Sequence, residues 1–374
     1  MTEVKPKWAP CLFSESDLED VAKLGATVSG PESEVANVRF LQWQYQHNPA
    51  GNVVMWLARD KETGELAGSY SVIPVRIKID NREILASLSL NTMTHPRYRF
   101  QGIFTTLAEM TYKSCSELGI TLTIGLPNAN SYHGFVGALK FTDIGKRSIM
   151  AKPLRISNIL RYYFPNSILR SGVSFIAEVF NKINSSISRS NSEGSNAVTI
   201  EENEIFDDRF DELWLRSSHQ QSNMVVRDNC YLNWRFIACP SRNYKAFTAI
   251  KNKKIAGYIV VRASRHSRLG CHVADIVDAI VDINMGEEDI WRALIRNVEL
   301  WSQQEQVDVI TIRLLNQFRI RKYLGNLGYL RVPNILSYGP NAIIVRCHRT
   351  QTVNVEQVTN STNWYFMDGD NDRP

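Results

Sequence analysis

Residues 97–105, Arg-Tyr-Arg-Phe-Gln-Gly-Ile-Phe-Thr, combine the residue types that bind phosphate groups at the start of a helix. A strand-like run, 83–96, precedes them, and a helix-like run, 102–118, follows. The first N–H groups of a helix have no intrahelical acceptor and lie at the positive end of the helix dipole. Gly102 has no Cβ that would keep a ligand away from the backbone. This stretch therefore predicts a phosphate-binding turn.

The elements around this turn follow a regular order. Residues 103–118 place small or apolar side chains at helical spacing, and Gly119 ends that helix. Residues 120–126 form a short apolar run typical of a buried strand, and 130–139 have helical character. With the segments upstream, the predicted order is helix, β-hairpin, strand, turn, helix, strand, helix, strand.

The same unit occurs twice in the chain. The motif Leu41-Gln-Trp43-Gln-Tyr45 returns as Leu232-Asn-Trp234-Arg-Phe236, and the pattern of 128–141 returns in 316–329. Order and spacing agree across both copies, which indicates a tandem duplication. Because the aromatic pairs recur in both copies, a core or interface role is favoured for them over sugar stacking. The predicted divisions are an N-terminal domain at 1–150, a connector at 151–198, a second domain at 199–349 and a C-terminal tail at 350–374.

The second copy has an acidic sequence at the matching turn. It reads Asn284-Met-Gly286-Glu-Glu-Asp289, which places three carboxylates where a diphosphate would arrive in the first copy. Like charges about 4 Å apart repel by roughly 4 kcal/mol at an effective dielectric constant near 20. Acidic residues also favour helix starts, so a structural role suffices for them. We expect no phosphate ligand at the second turn.

Composition sets the broad class of protein. The chain has 374 residues, of which 44% are hydrophobic and 22% charged, as in ordinary globular proteins with more than one domain. Its six cysteines are scattered without metal-ligand spacing, which favours reduced thiols and a cytoplasmic location, and no metal site is predicted. The N-terminal residues lack the apolar run of a signal peptide, and no stretch reaches the ~18–20 apolar residues of a membrane span.

Basic charge is concentrated in one segment. Residues 144–192 contain eight Lys and Arg residues against one Glu, and apolar residues interleave with the arginines of 151–184 as in two amphipathic helices. This segment is interpreted either as a connector packed between the domains or as a surface that contacts anionic lipid at the inner face of the membrane. No nucleic-acid-binding motif accompanies the charge, so nucleic acid is not an expected partner.

The turn and its flanking elements resemble the GNAT acyltransferase superfamily. Its acetyl-CoA signature is Gln/Arg-x-x-Gly-x-Gly/Ala, and Arg99-Phe-Gln-Gly102-Ile-Phe104 is similar except for the large Phe104. Residues 94–104 and the tail 363–370 also resemble a bacterial GNAT subgroup associated with cell-surface polysaccharide synthesis. The resemblance implies an α/β (α+β) fold of two tandem GNAT-like domains, each a mixed, mostly antiparallel sheet flanked by helices.

The resemblance also implies a co-substrate, acetyl-CoA or another acyl-CoA. Backbone N–H groups of the turn would bind its pyrophosphate, the strand end at 91–94 would pair with the pantetheine arm, and an N–H near Met93 would polarise the thioester carbonyl. The implied cofactor-binding residues are Met93, Thr94, Arg99, Gln101, Gly102, Ile103, Phe104, Thr105, Asn128 and Ser131.

The residues for acid–base chemistry depart from the GNAT pattern. The strand at 84–93 carries no Asp or Glu, and the usual tyrosine position falls at Val136. Tyr132, one turn earlier, is the candidate general acid, and the neighbouring His133 is the candidate base. The other candidates for the base are His95 and the tail carboxylates Asp368, Asp370 and Asp372.

The predicted function is acyl-CoA-dependent N-acyl transfer, most simply acetyl transfer, to an amino group of a sugar or related small acceptor. The acceptor would be a free or lipid-linked sugar of surface-polysaccharide synthesis. Two alternatives stay open at this point: an aminoacyl-tRNA-dependent transferase of the tandem-GNAT type, and a non-catalytic module that binds CoA or a glycan. The sequence predicts no oligomeric state.

Overall fold

The computed structural model describes residues 6–155, 198–265, 270–315, 318–332, 342–349 and 351–371. From residue 156 onward, the basic amphipathic segment expected at 151–184 lies outside this described part of the chain. The strands are, in chain order, β1 (Trp8–Leu12), β2 (Val54–Asp60), β3 (Leu66–Ile79), β4 (Arg82–Thr94), β5 (Leu122–Gly125), β6 (Thr142–Lys146), β7 (Ser148–Pro153), β8 (Thr199–Asn203), β9 (Asn223–Val225), β10 (Lys245–Lys251), β11 (Lys254–Arg265), β12 (His272–Val281), β13 (Val309–Leu314), β14 (Leu330–Arg331), β15 (Ala342–Cys347) and β16 (Trp364–Tyr365).

Helices cover both sheets. They are α1 (Leu18–Ser29), α2 (Val38–Tyr45), α3 (Ile103–Glu117), α4 (Ala129–His133), α5 (Arg209–Ser217), α6 (Asn229–Leu232), α7 (Glu287–Gln304), α8 (Phe318–Asn326) and α9 (Val355–Thr359). The predicted fold class, mixed and mostly antiparallel sheets flanked by helices, is confirmed.

The two sheets have the same order of pairings. The first runs β1-β2-β3-β4-β5-β15-β6, and β9 and β16 extend it beside β3. The second, written from the other edge, runs β8-β10-β11-β12-β13-β7-β14. Along each main path one pair is parallel, β4–β5 in the first sheet and β12–β13 in the second. The sheets therefore share one topology.

Each half of the chain contributes one strand to the other half's sheet. Strand β15, from the C-terminal half, lies between β5 and β6 of the first sheet. Strand β7, from the N-terminal half, takes the corresponding position between β13 and β14 of the second. Because each sheet needs a strand from the other half, the two halves are tied by backbone hydrogen bonds as well as by packing.

Two tryptophans join the halves at their centre. Trp43 and Trp234 stack with ring centroids 5.0 Å apart and an interplanar angle of 19°. Each indole N–H donates to the other residue's backbone carbonyl, at 2.8 Å from Trp43 and 3.0 Å from Trp234. Both side chains are buried. The predicted core and interface role of these repeated aromatics is confirmed.

The buried faces of α3 and α7 explain why these segments are helical. In α3, buried residues begin at Ile103 and recur at Leu107, Thr111 and Cys115, which is one face of a helix. In α7 the same spacing begins at Ile290. Helix α7 has 18 residues against 15 in α3, because it starts with an additional acidic turn ahead of this buried face.

Candidate functional site

The predicted phosphate turn connects β4 to α3. A short 3-10 turn, Pro96–Tyr98, follows the strand, and Gly102 is the N-cap residue of α3 with φ of 74° and ψ of 3°. A left-handed φ suits glycine, whereas Phe100, with φ of 64°, is an unusual residue for this region. A Cβ added at Gly102 would have no atom within 4 Å, so the space beside this N-cap residue is open.

Contacts to the β2–β3 hairpin hold the turn in place. The Tyr98 hydroxyl donates to Asp60 Oδ2 at 2.7 Å, and Arg97 pairs with Glu65 at 3.1 Å. Hydrogen bonds from the Thr63 backbone and from the Tyr98 hydroxyl lower the pKa of Asp60 to about 2. Arg99 is exposed, and within the described part of the chain it has no ion-pair partner. The turn thus presents a free guanidinium beside a helix N-terminus.

Phe104, the residue that departs from the GNAT signature, is directed into the protein. Its ring lies 5.3 Å from Phe135 and 5.9 Å from Tyr70, in edge-to-face geometry. A Cβ added at Gly134 would lie 2.9 Å from Phe104 Cε1, so the segment after α4 fits this ring because residue 134 is glycine. The large side chain therefore leaves the ligand side of the turn clear.

Strands β4 and β5 separate next to this turn. Their parallel pairing ends at Ser89 and Gly125, while β4 continues to Thr94. A register shift between β3 and β4 accompanies Asn91, whose φ is 48° and whose Nδ2 donates to Gln44 Oε1 at 2.6 Å. Beyond Ser89, the edge of β4 that faces β5 is therefore left open for an extended ligand.

The other predicted cofactor residues flank this opening. Met93 is buried and Thr94 half-buried at the end of β4, and Gln101, Ile103 and Thr105 surround the N-cap of α3. Across the opening, the Asn128 side chain caps α4 by accepting from the backbone of Asn130 and Ser131, at 3.0 Å each.

The two proposed acid–base residues lie on α4. The Tyr132 hydroxyl donates to Asp143 Oδ2 at 2.5 Å, and this hydrogen bond raises the pKa of Tyr132. His133 is exposed, with its ring 5.8 Å from that of Tyr132. His95 stays in the turn, where its Nδ1 accepts from the Arg97 backbone at 3.2 Å and partial burial lowers its pKa.

A pocket lies between the two halves, on the face of the first sheet opposite α3. Leu88 and Ile124, which form one of the last pairs of β4 and β5, contribute to its wall. The remaining lining residues come from α2, β3, β9, the segment around α6 and the tail, namely Trp43, Gln44, Ile73, Val75, Val225, Tyr231, Trp234, Arg235, Phe366, Gly369, Asp370 and Asn371. The pocket thus adjoins the point where β4 and β5 separate.

The tail folds back into the protein, where arginines bind its carboxylates. Asp368 pairs with Arg147 and, at 2.6 Å, with Arg313. Asp370 pairs with Arg227 at 2.7 Å, and burial raises the pKa of Asp370 to about 6, with Arg227 opposing that shift. Asp372, the third tail carboxylate, lies outside the described residues. Sequence reasoning missed the rest of the pocket, because its lining is assembled from segments far apart in the chain.

The matching turn of the second half has closed surroundings. Gly286, with φ of 91°, is the N-cap residue of α7. Glu287, the first residue of the helix, lies 3.4 Å from Arg319 and accepts from the Tyr323 hydroxyl at 3.3 Å. A Cβ added at Gly286 would lie 2.8 Å from Lys251 Nζ. The side chains of Lys251 and Asp289 therefore come within 4 Å of a position whose counterpart at Gly102 has no neighbour.

Among the described residues, no group of three or more His, Cys, Asp or Glu side chains is arranged to bind a metal ion. None of the helices in that part of the chain combines the length and the apolar character that crossing a bilayer requires.

Comparisons with known proteins agree with this geometry. Residues 12–138 match the family described as acetyltransferase (GNAT) domain. A comparison with curated protein sequences gives no match. Among solved structures, a GCN5-related N-acetyltransferase from Anabaena variabilis is similar, with a TM-score of 0.62, 11% identity, and coverage of 92% of this chain and 73% of that one.

Two further structures share the fold. A probable N-acyltransferase from Enterococcus faecalis has a TM-score of 0.60 and 11% identity, and 92% of this chain aligns with 74% of it. The N-myristoyltransferase of Saccharomyces cerevisiae with bound myristoyl-CoA has a TM-score of 0.58 and 12% identity, with coverage of 92% and 79%. The chain therefore contains a GNAT-type acyltransferase domain in its first half.

Proposed function

We propose that this protein transfers an acyl group, most simply acetyl, from coenzyme A to an amino group of a sugar or a related small acceptor. The observation that carries the proposal is the open helix N-terminus at Gly102, which adjoins the open edge of β4. A diphosphate fits the first feature because the N–H groups of the first turn have no intrahelical acceptors. An extended pantetheine arm fits the second.

Each part of the co-substrate has residues suited to hold it. The backbone from Gln101 to Thr105 would bind the pyrophosphate, and Arg99 would add charge to that contact. The end of β4, including Met93 and Thr94, would pair with the pantetheine arm, and Asn128 and Ser131 would border it from α4. Bound acyl-CoA supplies an activated thioester, and a backbone N–H near Met93 would stabilise charge on its carbonyl oxygen.

Tyr132 remains our candidate for the general acid. His133, the candidate base named from the sequence, lies beside it on α4. The hydrogen bond to Asp143 raises the pKa of the Tyr132 phenol, and the hydroxyl hydrogen would have to turn from Asp143 to the departing sulfur in order to be donated. The assignment of a sugar acceptor, free or lipid-linked, and of a role in surface polysaccharide rests on the subgroup resemblance of 94–104 and 363–370. The open first turn favours acyl-CoA over aminoacyl-tRNA as the donor.

Thiol release tests this function. The protein would be incubated with acetyl-CoA and two matched pairs, glucosamine with glucose and ethanolamine with ethylene glycol, and free CoA thiol followed over time. We expect release with an amine and no release above the acceptor-free rate with its hydroxyl partner. A protein whose melting temperature rises with acetyl-CoA but that releases no thiol with any acceptor would be a binding module.

A further inference from the structure

Asp370 is the one carboxylate among the lining residues of the pocket between the halves. The pocket begins at Leu88 and Ile124, beside the point where β4 and β5 separate. A thioester held along the open edge of β4 would therefore lie next to this pocket. Neither β4 nor β5 carries an Asp or Glu at the separation, so a carboxylate at this place has to come from another segment.

The two carboxylate oxygens of Asp370 accept different numbers of hydrogen bonds. Oδ2 accepts from Arg227 Nη2 at 2.7 Å and from the Met367 backbone at 2.9 Å. Oδ1 accepts a single hydrogen bond, from Arg227 Nη2 at 2.9 Å. A carboxylate oxygen can accept two hydrogen bonds. Asp370 Oδ1 is thus held in one orientation and keeps capacity for one more donor.

The arginine that binds Asp370 also binds a second buried carboxylate. Arg227 also binds Asp278, at 3.0 Å, so one guanidinium serves two buried carboxylates. Arg235, the cation among the lining residues of the pocket, donates to the Gly369 and Asn371 carbonyls at 2.8 and 2.6 Å. The tyrosine hydroxyls near this cluster belong to Tyr231, Tyr258 and Tyr365. Burial and Asp278 favour the protonated form of Asp370, and Arg227 opposes this.

We propose that this pocket binds the amino group of the acceptor and that Asp370 is the general base for its attack on the thioester. The proposal rests on the acyl transfer proposed above. The amine nitrogen forms a C–N bond to the acyl carbon and gives a proton to Asp370 Oδ1. The C–S bond breaks, the CoA thiolate takes up a proton, and Asp370 releases its proton to water. Overall, the amine nitrogen loses one proton and the sulfur of CoA gains one.

The pH dependence of turnover tests the proposal. Using the amine with the fastest thiol release, kcat and kcat/KM would be measured from pH 5 to 9 for the full chain and for Asp370→Asn. We expect an acidic limb with an apparent pKa near 6 in the wild-type enzyme. In the variant, kcat should fall by about 10²- to 10⁴-fold, the limb should disappear, and the KM for acetyl-CoA should stay within about threefold.

Asp368→Asn is the matched control. Asp368 lies two residues away, is equally buried and pairs with two arginines, but it is not a lining residue of the pocket. Its loss should lower stability and leave the acidic limb unchanged. Asp370→Glu keeps the charge and the pairing with Arg227, so it covers the case in which Asp370→Asn does not fold. For this variant we expect a lower kcat and an acidic limb with a different apparent pKa.

The outcomes separate the two proposals. A folded Asp370→Asn enzyme that keeps the acidic limb, or an Asp370→Glu enzyme with an unchanged profile, overturns the assignment of Asp370 and leaves the acyl transfer standing. A wild-type protein that binds acetyl-CoA but transfers to no amine overturns both.

Discussion

The helix N-termini at Gly102 and Gly286 are both capped by a left-handed glycine but have different surroundings. Both glycines have a left-handed φ and both cap a long helix that follows the central strand of a sheet. In front of Gly102 there is open space with a free arginine nearby. In front of Gly286 there are Lys251 and the acidic first turn of α7.

The buried faces of the two helices show how this difference arises. Ile103 begins the buried face of α3 directly after its N-cap, whereas Ile290 begins the same pattern in α7 one acidic turn later. The additional turn, Glu287 to Asp289, therefore occupies the position that is left free at the first turn, ahead of α3. A helix N-terminus with a capping glycine is thus not sufficient for an anion site, because the start of the helix relative to its buried face decides whether a ligand has room.

Among the variants that test the difference between the two helix N-termini, Gly102→Glu is expected to have the largest effect, and that effect is on acetyl-CoA binding. A carboxylate placed before α3 would repel the pyrophosphate by a few kcal/mol, so we expect acetyl-CoA to bind at least ~100-fold more weakly. The left-handed φ of 74° would also cost about 1–2 kcal/mol of stability in a residue with a side chain. Isothermal titration with acetyl-CoA at low ionic strength measures the loss.

Gly286→Glu is the matched control for that variant. It imposes similar backbone strain at φ of 91°, and the new side chain meets the flexible end of Lys251. We expect a comparable loss of stability with unchanged acetyl-CoA affinity. Equal weakening of binding in both variants would mean that the two turns do not differ in function.

Local sequence was sufficient to predict the first turn. The end of β4, the glycine N-cap and the buried face of α3 depend on residues within about twenty positions of each other, so spacing alone indicates them. Phe104 could not be placed in this way, because its fit depends on Gly134, which belongs to another element.

The pairing of strands between the two halves is the part of the fold that the sequence did not reveal. Nothing in β7 or β15 indicates that each joins the other half's sheet, since both are short apolar strands that either edge could pair with. The position of Asp370 in the pocket that Leu88 also lines depends in turn on the tail folding back against Arg227 and Arg235. Polar residues in a terminal segment are ordinarily solvated, so the sequence alone favours the wrong environment.

Strands β7 and β15, which each join the other half's sheet, bring a polar side chain against the long helix of that sheet, from β7 itself and from the residue after β15. Lys152, on β7, pairs with Glu299 of α7 at 2.8 Å. His348, just after β15, stacks on Tyr112 of α3 at 5.1 Å and bonds to Thr123 at 2.7 Å. Burial lowers the pKa of His348 to about 4, so His348 is neutral where it contacts the first sheet. The corresponding contact in the second sheet is the ion pair of Lys152 with Glu299.

Acidification should therefore weaken the contact that His348 makes with the first sheet and α3. The unfolded chain takes up a proton on His348 near pH 6.5 and the folded chain does so only near pH 4, so stability is present above pH 6.5 and is lost as the pH falls towards 4. The loss is on the order of 3 kcal/mol. Urea unfolding at several pH values, compared with His348→Gln, measures it; parallel curves for the two proteins would contradict the neutral contact.

The smallest expected effect concerns how α3 and α4 approach each other at the open turn. Gly134 has an ordinary helical φ of −64°, so alanine there should stabilise the backbone by up to ~1 kcal/mol. The added Cβ would instead meet the rigid ring of Phe104 at 2.9 Å. We expect Gly134→Ala to lower the free energy of unfolding by about 1 kcal/mol, as overpacking does.

A double-mutant cycle isolates this contact. In a Phe104→Leu background the ring is gone, so Gly134→Ala should become neutral or stabilising, with a coupling energy of about 1 kcal/mol measured by urea unfolding. Gly137→Ala is the control within the same segment, because nothing lies within 4 Å of its added Cβ. Equal responses at Gly134 and Gly137 would remove the argument that glycine at position 134 allows a large residue at position 104. In that case the departure from the GNAT signature would have to be accommodated by movement of the turn itself, and the first helix N-terminus would be less open than the comparison with α7 implies.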